Sequence, residues 1–172
     1  MTWVCSVALP RDVGAADDTA EAAPFRVRVP FNDVAQAVKR ALAGADRLLA
    51  EPACQEVLLD FRDASARTLK DVLDGQEVSA RGHLRRIVFS DGRGLKACRG
   101  KATLAVTEPG SRVVFICPDA FMEAVSGKLE HAEAALIHEM LHTLGLGENP
   151  PRSREITDRV LSRCVSPRPR VR

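Results

Sequence analysis

The sequence predicts an α+β fold in a single domain, and three observations carry that expectation. A chain of 172 residues fits one domain, long enough to bury roughly two thirds of its unfolded surface without help from a metal or a partner. Segments of helical periodicity are interleaved with short runs of strand character. One late segment, around ALIHEMLHTL, is apolar nearly all round and therefore belongs inside the molecule.

Taken in order, residues 1–24 are expected to be a flexible leader or a signal remnant. MTWVCSVALP is briefly apolar but lacks a basic leading segment, and residues 12–24 are small, acidic and aperiodic. The domain proper spans 25–165. From Phe25, FRVRVPF alternates apolar and basic residues as a strand does, and Asn32 or Asp33 can cap the helix that follows. That helix, about 34–50, repeats apolar residues at Val38, Leu42, Ala45, Leu48 and Leu49, and Pro52 ends it. A second helical segment runs through Cys54, Val57, Leu58 and Phe61; a third, about 68–73, stops at Asp74-Gly75.

LRRIVFS, residues 84–90, reads as a strand closing on Asp91-Gly92, with His83 in a Gly-flanked loop before it. A hairpin follows over 102–107 and 112–117, and Pro109-Gly110 suits the centre of a type II turn, whose second position needs positive φ. Pro118 and Asp119 open a helical region interrupted near Ser126-Gly127. From about Lys128 a helix runs to Gly145, and a last helix, capped at Ser153, ends near Cys164. The tail 166–172, SPRPRVR, is expected to be basic and disordered, and the chain holds no internal repeat.

A net charge of +2 with both signs interspersed leaves no nucleic-acid footprint. No apolar run approaches the ~18 residues that span a bilayer, so a soluble chain without a membrane span is expected, as a monomer. The 20 Arg against 5 Lys, with abundant Ala, fit the codon bias of a GC-rich bacterium. None of the five cysteines sits in a CxxC pair, which argues against a cysteine-ligated metal. Four lie in the body of the domain, an even number that permits two disulfides; the expected pairs are Cys98–Cys117 flanking the hairpin and Cys54–Cys164 ending two helical segments. A secreted or periplasmic location follows from such pairing, the alternative being reduced cysteines in the cytoplasm.

The chemistry concentrates in IHEMLHTLGLGENPP, residues 137–151. Residues four apart share a helix face, so His138 and His142 can present two imidazoles to one metal ion. Glu139 lies about 100° further round the helix, within reach of a metal-bound water but displaced from the ligand pair. Two buried imidazoles and a buried carboxylate without partners would be costly, and a metal resolves that cost. A catalytic zinc site needs a third protein ligand and an open fourth position. His131 is two turns from His138 and cannot ligate the same ion, and His83 is unplaced. Gly145 can turn the chain back across the site, bringing Glu148 in front of the stiff pair Pro150-Pro151 as the third ligand, with Asn149 a weaker one.

His138, Glu139, His142 and Gly145 stand as HExxHxxG, and on those residues the chain resembles the metzincin-like zinc metalloproteases, whose third ligand falls where this chain has Glu148. The resemblance covers about eleven residues. It implies Zn2+ held by His138, His142 and Glu148, a general base at Glu139, and a zincin-like domain in which a small mixed sheet packs on a buried active-site helix. An acidic third ligand recurs as aspartate in the snapalysin-like enzymes, whereas the absence of any methionine after Met140 rules out a Met-turn. The longer stretch through Thr157, with VVFICP upstream, also resembles a group of small bacterial proteins that share HExLHTLGLGENPPS.

The expected function is therefore a zinc-dependent peptidase, hydrolysing a peptide or protein substrate through a metal-bound water activated by Glu139. The alternative is a catalytically inactive zinc-binding interaction module, and a third reading is hydrolysis of a non-peptide amide. Because the chain has no Tyr, oxyanion support falls to the metal, a backbone N–H or a cation, with His131, Arg152 and Arg154 as candidates. The hairpin is the expected neighbour of the motif helix.

Overall fold

The computed structural model describes residues 23–100 and 102–165. Cys5, most of the expected leader and the tail 166–172 lie outside the described residues. The elements run β1 (Arg26–Arg28), α1 (Asn32–Ala50), the single turns α2 (Pro52–Gln55) and α3 (Val57–Asp60), α4 (Leu69–Gly75), α5 (Ala80–Arg86) and β2 (Val88–Asp91). A 3-10 turn (Lys96–Arg99), β3 (Ala105–Val106), β4 (Val113–Ile116), α6 (Pro118–Gly127), α7 (Leu129–Thr143), α8 (Ser153–Val160) and a π-helical turn (Leu161–Val165) complete the order. The fold is α+β, as the patterning predicts.

The sheet is mixed and open, in the order β1-β2-β4-β3. β1, β2 and β4 are parallel, whereas β3 runs antiparallel to β4 at one edge. Parallel neighbours need crossover connections, and α1 to α5 supply the one between β1 and β2. Phe89, Val114 and Ile116 are fully buried in a core shared with Val38, Leu42 and Leu49 of α1 and with Leu136, Ile137, Met140 and Leu141 of α7. The apolar spacing of α1 thus does what a 3.6-residue period requires: one face lies against α7 while Lys39, Arg40 and Arg47 face outward.

Several boundaries differ from the sequence reading. LRRIVFS is divided: α5 continues through Arg86, and β2 begins only at Val88. Ser79 sets this by capping α5, its hydroxyl accepting the Gly82 N–H at 3.0 Å. His83 therefore stands on a helix and not in a loop. At α1 neither Asn32 nor Asp33 caps; Phe31 holds the N-cap position without a side-chain bond. At α8 the N-cap is Arg152 and not Ser153, and the Glu155 carboxylate accepts the Arg152 N–H at 2.9 Å. The first strand is confined to three residues, and the hairpin pairs only Ala105 and Val106 with Ile116 and Phe115. Its turn is as expected: Ser111 N–H reaches Glu108 O at 2.9 Å with Gly110 at φ +78°.

Both disulfides join the expected partners. Cys98–Cys117 ties the 3-10 turn to the end of β4, and Cys54–Cys164 ties α2 to the last helical turn. No helix among the described residues is long and apolar enough to cross a membrane.

His83 fastens α5 to α7. Thr143 Oγ1 donates to Met140 O at 2.7 Å, so at 2.9 Å from His83 Nε2 it accepts that ring's N–H. The ring's Nδ1 is buried and unpaired. Burial, followed by the charges of Arg112 and Arg86, lowers the His83 pKa from 6.5 to about 4. Between those values the unfolded chain binds the proton that the folded chain refuses, so stability falls as pH drops through the window. Relative to a His83→Gln variant, the native chain is expected to lose roughly 2–3 kcal/mol between pH 6.5 and 4, measured by denaturant unfolding. Parallel pH profiles for the two proteins would sink this reading.

Candidate metal centre

The last turns of α7 are buried, and His138, Glu139 and His142 are each no more than 8% exposed. The helix then stops in a two-bond motif. Gly145 lies at φ +101°, a conformation that a side chain resists, and its N–H reaches His142 O at 2.8 Å while Leu146 N–H reaches Leu141 O at 3.3 Å. Leu141 and Leu146 are both buried beneath this reversal. The turn also aims the Leu146 carbonyl at the site, where it accepts the His142 Nδ1–H at 2.7 Å. Gly110, in the β3–β4 turn, donates to His142 O at 2.9 Å and ties the hairpin to the same helix end.

Beyond the turn the chain brings Glu148 back to the histidines. His138 Nε2 and His142 Nε2 are 3.0 Å apart, and Glu148 Oε1 lies 3.7 and 3.4 Å from them. Zn–N and Zn–O lengths of about 2.0–2.1 Å at the tetrahedral angle would place ligand atoms about 3.3 Å apart. The three separations straddle that value, so this group can hold a metal ion. Its donor chemistry also fits: the Leu146 carbonyl can only accept, which puts the His142 proton on Nδ1 and leaves Nε2 with its lone pair outward. The histidines are buried and the Glu148 side chain is 40% exposed, so the triangle opens on the carboxylate side.

Glu139 stands beside this triangle, 8% exposed. Burial, with the Glu148 charge adding to it and the Thr107 N–H opposing, raises its pKa from 4.5 to about 8. Burial, followed by the His142 ring, holds His138 down at about 4 against 6.5. The His138 imidazole is thus poised as a neutral ligand at pH 7, and a carboxyl group that titrates near neutrality is matched to proton transfer.

Two cavities flank Glu139. The larger, about 430 Å³, lies on the His138 side between Thr103, Ala105, Ala124, His131, Ala135 and Thr157. The other, about 360 Å³, lies on the His142 side with Ala97, Val106, Pro109 and Glu148 in its wall. Ser153 borders both. The hairpin does neighbour the motif helix, as expected. Of the three side chains considered for the oxyanion, His131 borders a cavity, whereas Arg152 and Arg154 border neither and Arg154 pairs with Asp158 at 3.6 Å.

The structure brings His138, His142 and Glu148 together with Glu139 at their side, and leaves His83 apart. Sequence reasoning missed the groups that orient them: the Leu146 carbonyl, the Thr107 N–H and Thr157, whose Oγ1 is 2.9 Å from His138 Nδ1. Two of these are backbone atoms, which leave no trace in residue type. Thr157 alone has a side-chain signal, lying beside Ile156 on the inner face of α8. No family model, curated protein or solved structure matches the chain.

Proposed function

We propose that the protein is a zinc-dependent peptidase, with zinc held by His138, His142 and Glu148. The observation that carries this reading is the convergence of three ligand atoms at metal-ligand spacing beside a buried carboxyl group tuned toward neutrality. When bound, zinc would polarise a substrate carbonyl and lower the pKa of water to ~7, and its charge would draw the Glu139 pKa down. The chain's own part falls to Glu139, which accepts the proton of the attacking water and returns it to the leaving amine nitrogen. The Thr107 N–H holds that carboxylate in place. An acidic ligand leaves the centre one positive charge lower than three neutral histidines would, which would make bound zinc a somewhat weaker Lewis acid.

The two cavities on either side of Glu139 give room for substrate residues on both sides of a scissile bond. The disulfides support a secreted or periplasmic setting, where they persist. The test is incubation of the zinc-loaded protein with a broad peptide library, with and without a chelator. Chelator-sensitive cleavage supports the reading; tight zinc binding with no cleavage of any peptide would move the assignment to an inactive zinc-binding module.

A further inference from the structure

Thr157 belongs to α8, beyond the turn that carries Glu148, yet its hydroxyl meets the first metal-binding histidine. A neutral imidazole has one N–H and one lone pair, so Nε2 is free for a cation only when the proton sits on Nδ1. At His142 the Leu146 carbonyl allows no other choice. At His138 the partner is a hydroxyl, which can either donate to Nδ1 or accept from it. Two proton arrangements are therefore open to His138. In one, Nε2–H donates to His142 Nε2, 3.0 Å away, while Thr157 donates to Nδ1. In the other, Nδ1–H donates to Thr157 and the Nε2 lone pair faces His142 and Glu148.

We propose that Thr157 is a positioning residue for the metal centre: its hydroxyl rotates from donor to acceptor, keeping His138 Nδ1 bonded while the ring proton passes from Nε2 to Nδ1. The inference rests on the metal-centre reading and not on cleavage. One proton leaves one nitrogen of the ring and one arrives on the other through solvent, so zinc entry at His138 releases none. The first arrangement pairs the two imidazoles when no cation is bound, and the second offers both lone pairs to one. A carbonyl in place of Thr157 would serve only the second, and an apolar side chain neither.

The test is zinc affinity, measured by chelator competition on the full chain, for wild type, Thr157→Val and Thr157→Ser. Outer-shell partners of ligating histidines are worth about 10–100-fold in metal affinity. Val, equal in shape but unable to bond, is expected to weaken zinc binding by that factor, while Ser stays within about threefold of wild type. Nitrogen-15 NMR of the wild-type imidazoles adds a readout that needs no variant. His138 is expected as the Nε2–H tautomer without zinc and as Nδ1–H with it, whereas His142 stays Nδ1–H in both. Unchanged affinity in Thr157→Val, equal losses in Val and Ser, or one His138 tautomer throughout would overturn the inference and leave the metal centre standing. A wild-type chain that binds no zinc would overturn both.

Discussion

Glu139→Gln is expected to keep its zinc and lose peptide cleavage by at least about 10²–10⁴-fold, the range that a positioned general base supplies. Gln preserves the shape of the side chain but cannot accept a proton, so the ligands are untouched while the chemistry stops. A second signature appears without metal. The folded pKa of Glu139, about 8, lies above its ordinary 4.5, so between these values the folded chain holds a proton that the unfolded chain has released. Its contribution to stability is full below pH 4.5 and is lost as pH rises through 8. The metal-free Gln variant, which does not titrate, should therefore gain roughly 3–5 kcal/mol over wild type between pH 4.5 and 9. A variant that cleaves as well as wild type would remove Glu139 from the reaction.

Glu148→Ala is expected to lower zinc affinity by more than the about 10–100-fold typical of a group that only orients a ligand, because it takes away one of the three proposed ligands. The histidines would keep their partners, Thr157 and Leu146, so the metal-free fold should be little changed. The charge that helps to raise the Glu139 pKa would disappear, moving that group back toward its ordinary range. Zinc affinity equal to wild type would mean that another group completes the centre.

Long-period features were the legible part of this chain. α1 and α7 follow from apolar spacing because each presents a face to the same core. The return of Glu148 towards the two histidines was legible because Gly145 can reverse the chain just before it. The two disulfide pairs were also anticipated from the elements they close. LRRIVFS was misread because Leu84, Ile87 and Phe89 are apolar under either period; only the Ser79 cap and the distant Thr143 hydroxyl decide that the segment begins helical. The orienting shell was illegible for a related reason. Leu146 acts through its carbonyl and Thr107 through its N–H, and Thr157 matters only once α8 has docked on α7.

The proposed cleavage and the positioning role of Thr157 both require a metal at His138, His142 and Glu148. The direct measurement is the zinc content of the full chain after loading and exhaustive dialysis, beside a His138→Ala/His142→Ala double variant. About one zinc per wild-type chain and none in the variant is the expected result. A wild-type chain that retains no more zinc than the variant would contradict the account.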